Sequence, residues 1–327
     1  MKKLKVGIVG GAGYTGGEAI RLLVFHPNVD LKWVHSNSNA GNKLYDVHSD
    51  LLGVSQMCFA DSFDWDIDVA FLCLGHGDSR KFLEANDVPE GVAIIDLSQD
   101  FRLEAKSSIG EREFVYGLPE MSKNKIAKAK NIANPGCFAT CLQLGLLPLA
   151  EAGALTSEVH IAATTGSTGA GQKLAPTSHF SWRVNNMSTY KMFEHQHLNE
   201  IGESLRSLMP DFDQTINFIP YRGDFSRGII ASIYTTSDKS VEELKQIYCD
   251  YYADAAFTFV SDKNIALKQV VNTNKCLVYI EKHGDKVLIM STIDNLLKGA
   301  SGQAVQNMNI MFGLDENAGL NLKAAAF

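Results

Sequence analysis

The sequence predicts an α/β chain of two domains: a parallel sheet wrapped by helices, then an α+β unit. Three observations predict it. The chain has 327 residues, and at roughly 100–200 residues per domain that length suggests about two domains. Its first third alternates short apolar runs with helical patterns. Its middle and last thirds carry longer strand patterns with fewer helices between them.

The elements follow in order. Lys5–Val9 reads as a buried strand and Tyr14–Phe25 as a helix, with Ile20, Leu23 and Val24 among its apolar positions. Leu31–His35, Val69–Leu74 and Val92–Leu97 read as further strands. Strands separated by helices argue for a parallel sheet. Phe138–Ala150 is an apolar helical pattern that ends at Gly153. Beyond it, Val159–Thr164, Thr215–Ile219, Gly228–Thr236, Cys276–Lys282 and Lys286–Thr292 read as strands. The last two flank His283-Gly284-Asp285 and predict a hairpin. Ser240 with Glu243 predicts a capping box that opens a helix to about Ala253. Gly299–Phe312 reads as the final helix. The expected domains are 1–135 and 136–298, with a C-terminal helix at about 299–327 packing back onto the first.

Composition excludes several classes. At 45% hydrophobic and 20% charged residues, the chain is neither disordered nor collagen-like nor a coiled coil. Thirty Lys and Arg face thirty-seven Asp and Glu, a net charge of -7. That balance gives no basic surface, so neither nucleic acid nor an anionic membrane is an expected partner. No apolar run reaches the length of about 18 residues that a membrane helix needs. The opening lysines imitate a signal sequence, but the apolar stretch behind them is short and broken by glycines. A cytoplasmic protein is expected. Its six cysteines contain no CxxC and read as free or catalytic thiols.

Four motifs carry chemistry. The first is Gly10-Gly11-Ala12-Gly13-Tyr14-Thr15-Gly16, between a predicted strand and a predicted helix. Glycines there allow a tight turn and close approach to a pyrophosphate, and the free N–H groups at the helix start bind its charge. A Rossmann-type dinucleotide-binding domain follows, with Gly10, Gly13, Tyr14, Thr15 and Gly16 against the cofactor. The next strand ends His35-Ser36-Asn37-Ser38-Asn39, with Lys43 behind and no acid. An NAD enzyme places Asp or Glu near this point for the ribose 2′-OH. Ser36, Ser38 and Lys43 suit a 2′-phosphate better, so NADP(H) is the expected cofactor.

The second motif is Asn134-Pro135-Gly136-Cys137. Asn is a favoured N-cap and Pro a favoured first helical residue, which puts Cys137 in the first turn. The positive helix end stabilises a thiolate there, the competent nucleophile. Cys141, one turn on, reads as a small buried residue. The third is His195-Gln196-His197-Leu198-Asn199-Glu200, at the start of a helix spaced by Leu198, Ile201, Leu205 and Leu208. His197 and Glu200 share a face, and imidazoles beside a reactive cysteine can serve as acid and base. H-x-H can also chelate, but no cysteine lies near in sequence, and no metal is expected. The fourth is Gly166–Gly171, a small-residue loop whose N–H groups, with Ser167 and Lys173, either hold a substrate phosphate or form a mobile connection.

Together these features resemble the N-acetyl-gamma-glutamyl-phosphate reductase family of arginine biosynthesis. The resemblance covers essentially the whole chain. It includes Gly10–Gly17 with Glu18, Asp96-Leu97-Ser98-Gln99-Asp100-Phe101-Arg102, Tyr116–Glu120 and Asn134–Cys137. It continues through His195–Glu200, Arg227-Gly228-Ile229, Asp294–Ala300 and Gly302–Gln306. It implies a Rossmann domain plus an α+β catalytic domain resembling glyceraldehyde-3-phosphate dehydrogenase. It also implies NADPH-dependent reduction of an acyl phosphate to an aldehyde, and a homo-oligomer, dimer or tetramer. Cys137 matches the family's nucleophile and His195 its partner. Arg102, His197 and Glu200 would line the substrate site, and Asn295 would sit near the nicotinamide. Three positions depart: Gly75 where proline is frequent, Gln172 where a basic residue is common, and Gln196 between the histidines. Reduction of an aspartyl or aminoadipyl phosphate, or an NADP-binding protein without chemistry, are the alternatives.

Overall fold

A computed structural model describes residues 2–326. It divides into two compact units. The first runs to Gly136 and takes in Ala300–Asn321; the second is Cys137–Gly299 with the tail from Leu322.

The first unit is β1 (Leu4–Val9), α1 (Tyr14–Leu23), β2 (Val29–His35), α2 (Leu44–Val47), β3 (Val69–Leu72), α3 (Asp78–Ala85), β4 (Ala93–Asp96), β5 (Ser108–Ile109), β6 (Arg112–Tyr116), α4 (Pro119–Ile126) and β7 (Asn131–Ala133). The sheet order is β2-β1-β3-β4-β7-β6-β5. All neighbours are parallel except β5 with β6. The central strands bury both faces: β3 is buried at each of its four positions, as a strand covered on both sides must be. From β1 the chain first builds β2 on one side, then returns to place β3 on the other. That reversal opens the crevice where such sheets bind ligands, and the glycine loop after β1 lies at it.

The second unit is α5 (Cys137–Glu151), β8 (Val159–Thr165), α6 (Phe180–Arg183), β9 (Ser188–Thr189), α7 (His197–Leu208), β10 (Ile216–Arg222), β11 (Ile229–Thr236), α8 (Val241–Tyr251), β12 (Thr258–Ser261), β13 (Cys276–His283) and β14 (Lys286–Ile293). Its sheet order is β12-β13-β14-β11-β8-β10-β9. The pairs β8–β10 and β12–β13 are parallel and the others antiparallel. Residues alternate in burial along β8, β11 and β13, the pattern of a sheet covered on one face. The predicted hairpin forms, with Gly284 in the left-handed region at φ 60°. The Ser240–Glu243 capping box forms with both reciprocal hydrogen bonds.

α5 is buried along nearly its whole length although Pro148 stands inside it. Proline has no N–H to give the carbonyl four residues back. The Tyr252 hydroxyl donates to that carbonyl, Leu144 O, at 2.5 Å, and the Tyr248 hydroxyl donates to Gly145 O at 2.5 Å. Gly145 lets the helix lie close on the sheet, since a Cβ there would stand 2.5 Å from Ile233 Cδ1.

The final helix, α9 (Gly302–Met311), follows a π turn at Leu297–Ser301. It belongs with the first unit through buried polar contacts. Asn309 meets His26 at 3.0 Å, Asn307 donates to Gly117 O at 2.9 Å, and Ser301 donates to Thr15 O at 2.7 Å. The expected helix to 327 stops at Met311, where Gly313 turns the chain at φ 63°. Periodicity also missed β5, β6, β7, β9, β12, α2, α3, α4 and α6. The strands among these have two to five residues and no apolar run longer than three, so neither an alternation nor an apolar run registers.

Candidate active site

The first unit supplies a cradle of backbone. Gly10 turns at φ 79°, and a Cβ there would stand 2.6 Å from Cys73 O. The Gly10 and Gly11 N–H groups donate to His35 O at 3.1 and 2.9 Å, tying the loop to the end of β2. α1 begins at Tyr14 with Gly13 as its cap, and no side chain caps it. The N–H groups of Tyr14, Thr15 and Gly16 lack partners within the helix, as at any helix start. A Cβ on Gly16 would stand 2.7 Å from Gly11 Cα, whereas one on Gly13 would meet only Gly10 O at 4.0 Å. So Gly16 closes the turn and Gly13 leaves its mouth open, which fits a pyrophosphate.

His48 was not legible in the sequence. Its ring meets Gly11 O at 2.7 Å and lies against Gly17, where a Cβ would stand 2.6 Å from it. It buttresses the loop from a separate segment. At the end of β2, Ser36 is buried and Ser38 exposed. Asn39 Nδ2 donates to Ser38 Oγ at 3.0 Å, and Lys43 Nζ donates to Gln56 O at 2.7 Å. Hydroxyls and an amide thus gather where a ribose carboxylate partner would otherwise stand.

The Asp96–Arg102 segment is a supporting structure. Asp96 is buried and accepts hydrogen bonds from Ser79 Oγ, Ser98 N and Ser98 Oγ; burial still pushes its carboxyl up to about 6. Asp100 caps α3 from outside that helix, accepting from Gly77 N at 2.6 Å and Arg80 N at 3.0 Å. Phe101 stacks on Phe114 at 4.1 Å. Arg102 is 7% exposed and donates from Nε to Asn134 O at 2.8 Å and from Nη2 to Leu97 O at 2.9 Å. It is therefore no surface ion pair, and its fork is turned toward backbone carbonyls.

Asn134 corrects an expectation. It does not cap α5, which begins at Cys137. Its Nδ2 donates to Ala300 O at 3.0 Å and its Oδ1 accepts from Asn307 Nδ2 at 3.1 Å. Tertiary partners have claimed the side chain, yet Cys137 still occupies the first turn.

The second unit gathers side chains. Cys137 opens α5, and Gly299 makes room for it: a Cβ at 299 would stand 2.9 Å from Cys137 Cβ. Cys141 is buried, and burial pushes its thiol well up, the mark of an inert core cysteine. His195 lies just ahead of α7, not inside it, and accepts the His197 N–H at Nδ1 at 3.3 Å. Its ring stands edge-on to Phe138 at 5.5 Å, Phe218 at 5.5 Å and Tyr190 at 5.7 Å. This apolar box, then Lys191, pushes its pKa down to about 4, so His195 is a neutral imidazole at pH 7. His197 opens α7, and its Nε2 lies 3.9 Å from Glu200 Oε1, both residues buried.

Sequence reasoning missed Tyr190 and Arg222. Tyr190 packs under the Arg222 guanidinium at 4.7 Å, and burial, then the charge on Cys137, pushes its phenol up. The available signal was a lone arginine ending the apolar strand β10. The glycine-rich segment after β8 is a 3₁₀ turn, Ser167–Ala170, not an open nest. The N–H groups of Ser167, Thr168, Gly169 and Gly171 already donate to protein carbonyls. Lys173 is exposed. Asn295 is buried, donating to Thr168 Oγ1 at 3.0 Å and accepting from Gly228 N at 2.7 Å. Its neighbour Asp294 accepts two bonds from Arg227, at 3.1 and 3.2 Å. Among the described residues no His, Cys, Asp and Glu cluster could hold a metal ion, and no helix is long and apolar enough to cross a membrane.

Residues 5–129 match the semialdehyde dehydrogenase NAD binding domain, and residues 137–295 the semialdehyde dehydrogenase dimerisation domain. The N-acetyl-gamma-glutamyl-phosphate reductase of Phocaeicola vulgatus is 57% identical over 325 residues, 99% of this chain and 100% of its own. The chain belongs to the N-acetyl-gamma-glutamyl-phosphate reductase family. The reductase of Azobacteroides pseudotrichonymphae is 59% identical over 325 residues, with 99% of this chain and 100% of that one covered. Aspartate semialdehyde dehydrogenase II of Vibrio cholerae, solved with ASA, shares the fold at TM-score 0.72 and 16% identity, covering 96% of this chain and 99% of that one. In this reductase family chain, the first unit is the nicotinamide-dinucleotide-binding domain and the second the dimerisation domain.

Proposed function

We propose that the chain reduces an N-acyl-gamma-glutamyl phosphate to the N-acylglutamate semialdehyde, releasing phosphate, as a cytoplasmic step of arginine biosynthesis. Full-length identity to reductases of that name is the observation that carries the reading. Cys137 Sγ attacks the γ-carbonyl carbon, the bond to the phosphate oxygen breaks, and a thioester forms. NADPH, held along Gly10, Gly13, Tyr14, Thr15 and Gly16, supplies a hydride when bound. Cys137 then carries a tetrahedral thiohemiacetal, which collapses to aldehyde and thiolate.

His195, neutral in its apolar box, accepts the thiol proton before attack, lends it to the thiohemiacetal oxygen, and takes it back as that intermediate collapses to aldehyde and thiolate. His197 and Glu200 form the wall beside it and orient the substrate. Ser167 and Lys173 are the candidate contacts for the leaving phosphate. Asn295 positions the Thr168 turn and would contact the nicotinamide when the cofactor is bound. Ser36 and Ser38, with Lys43 behind, hold the 2′-phosphate and make NADP(H) the cofactor. The dimerisation domain assembles the chain as a homodimer or a dimer of dimers. The test is the reverse reaction: NADP reduction must require both the semialdehyde and phosphate. Reduction without phosphate, or equal use of aspartate semialdehyde, would overturn the reading.

A further inference from the structure

The mechanism leaves Arg222 without a task, and its surroundings define one. Arg222 ends β10, where it pairs with Ser188 of β9. Arg183 Nη1 donates to Arg222 O at 2.7 Å, so the backbone that carries it is fixed. Its guanidinium lies on the Tyr190 ring at 4.7 Å, and that ring stands 5.7 Å from the His195 ring. Tyr190 also feels the Cys137 charge. One aromatic side chain thus ties Arg222 to both members of the catalytic pair.

Three cations gather here; Arg183 and Lys191 are held by backbone and amide oxygens, while Arg222 meets the Tyr190 hydroxyl and keeps one N–H unpaired. Arg183 spends its fork on Thr177 O, Arg222 O and Ser188 Oγ. Lys191 donates to Gln196 Oε1 at 2.8 Å. Arg222 Nε is buried with no hydrogen-bond partner. Its neighbour Asp224 turns to cap Asn185 N at 2.6 Å instead. A buried guanidinium N–H left unpaired is costly, and a planar fork is matched by a carboxylate. Arg102, the arginine expected in that role, has Nε and Nη2 on backbone carbonyls.

We infer that Arg222 is the carboxylate anchor of the substrate site, a specificity-determining residue in place of Arg102. The inference rests on the acylglutamyl reading above. An N-acylglutamyl phosphate offers the α-carboxylate, and a dicarboxylic acyl group such as succinyl offers a second; either is the same ligand chemistry.

The experiment reads ligand protection of Cys137 against iodoacetamide, and so does not depend on turnover. N-acetylglutamate, N-succinylglutamate and the α-carboxamide of N-acetylglutamate are titrated against the wild type, Arg222→Gln and Arg222→Lys. The unliganded alkylation rate and NADPH binding confirm that each variant is folded. Arg222→Gln should weaken protection by at least one carboxylate ligand about 100-fold, the scale of a lost bidentate charge pair, and Arg222→Lys by less. If Arg222 holds the α-carboxylate, the α-carboxamide is already weak in the wild type and Arg222→Gln no longer distinguishes it from N-acetylglutamate. If it holds an acyl carboxylate, wild-type preference for N-succinylglutamate over N-acetylglutamate disappears in Arg222→Gln. Equal protection of wild type and Arg222→Gln by every ligand would overturn the anchor and leave the reductase reading standing. Absence of protection in the wild type by all three would overturn the acylglutamyl reading and the anchor with it.

Discussion

The two ligand-facing regions are built from different materials. The dinucleotide cradle is almost all backbone: Gly10 at positive φ, Gly16 against Gly11, and the bare start of α1. The proposed catalytic region is almost all side chain: Cys137, His195, His197, Glu200, Tyr190 and Arg222, from α5, the approach to α7 and its first turn, the residue after β9, and the end of β10. A backbone site tolerates no added Cβ where chains touch, and it leaves a dense glycine pattern at one place in the sequence. A side-chain site is spread over 86 positions from Cys137 to Arg222 and leaves no local signature beyond its individual residues. The two should therefore fail differently when altered.

The largest effect is expected at the nucleophile. Cys137→Ser should lower kcat by about 10⁴-fold or more, since a hydroxyl stays protonated at this pH. NADPH affinity should be unchanged, because no part of the glycine cradle is touched. In the wild type, mass spectrometry should find Cys137 alkylated by iodoacetamide ahead of the buried Cys73, Cys141 and Cys276. Near-wild-type turnover in the serine variant would remove the covalent mechanism.

The complementary change is Gly16→Ala. Its Cβ would stand 2.7 Å from Gly11 Cα and 2.7 Å from Gly11 O, backbone that cannot step aside. We expect NADPH affinity to fall about 100-fold, as when a positioned anion cradle loses its geometry, while Cys137 alkylation continues at its normal rate. Gly13→Ala, with only Gly10 O at 4.0 Å, should leave the loop itself undisturbed and weaken NADPH by a smaller factor, because its methyl stands at the mouth that receives the pyrophosphate. Equal losses in the two variants would mean that crowding of the bound pyrophosphate, not loop closure, sets the effect.

His195 gives a pH test. Its pKa is pushed down to about 4 by its apolar box, then by Lys191. Between about pH 4 and the ordinary histidine value near 6.5, the unfolded chain binds a proton that the folded chain does not. Stability is therefore lost as pH falls through that window, by a limit of roughly 3 kcal/mol. His195→Asn should flatten that part of the stability profile. The same variant should lower kcat by about 100-fold, the usual contribution of an acid–base group. Denaturant titrations at pH 5 and pH 7.5 check the first, and an acid limb of kcat/KM centred near 6.5 would contradict the neutral, desolvated ring.

What was legible follows the same division. Strands β1, β2, β8, β10, β11, β13 and β14 were readable from alternation or a long apolar run, and the short β3 and β4 from continuous apolar runs. β5, β6, β7, β9 and β12 carry no apolar run longer than three residues and were not. Gly10–Gly16 and Cys137 were readable because their chemistry is local. Asn134 was misread, since an N-cap argument sees only neighbours in sequence while Ala300 O and Asn307 hold the side chain. Asp100 capping α3, His48 behind the glycine loop, and Tyr252 replacing the missing Pro148 N–H are long-range bonds of the same kind. Arg222 carries no motif at all. Beyond its place at the end of an apolar strand, its unpaired Nε in the folded chain singles it out.

The smallest effect tests the discriminating end of the backbone site. Ser38 is exposed at the rim, its hydroxyl accepting from Asn39 Nδ2 at 3.0 Å, with Ser36 Oγ 3.5 Å away. Ser38→Asp puts a carboxylate where the 2′-phosphate of NADP(H) would lie. Like charges at such a rim are partly screened by water and salt, so the expected loss is about tenfold in NADP(H) affinity, or roughly 1.4 kcal/mol. NAD(H) affinity should hold or rise, because an added acid can accept the free ribose hydroxyl. Raising the salt concentration should narrow the difference between variant and wild type for NADP(H) and leave NAD(H) alone. If Ser38→Asp weakens both cofactors equally, the turn after β2 is not reading the 2′ position. The NADP preference would then have to come from elsewhere in the first unit.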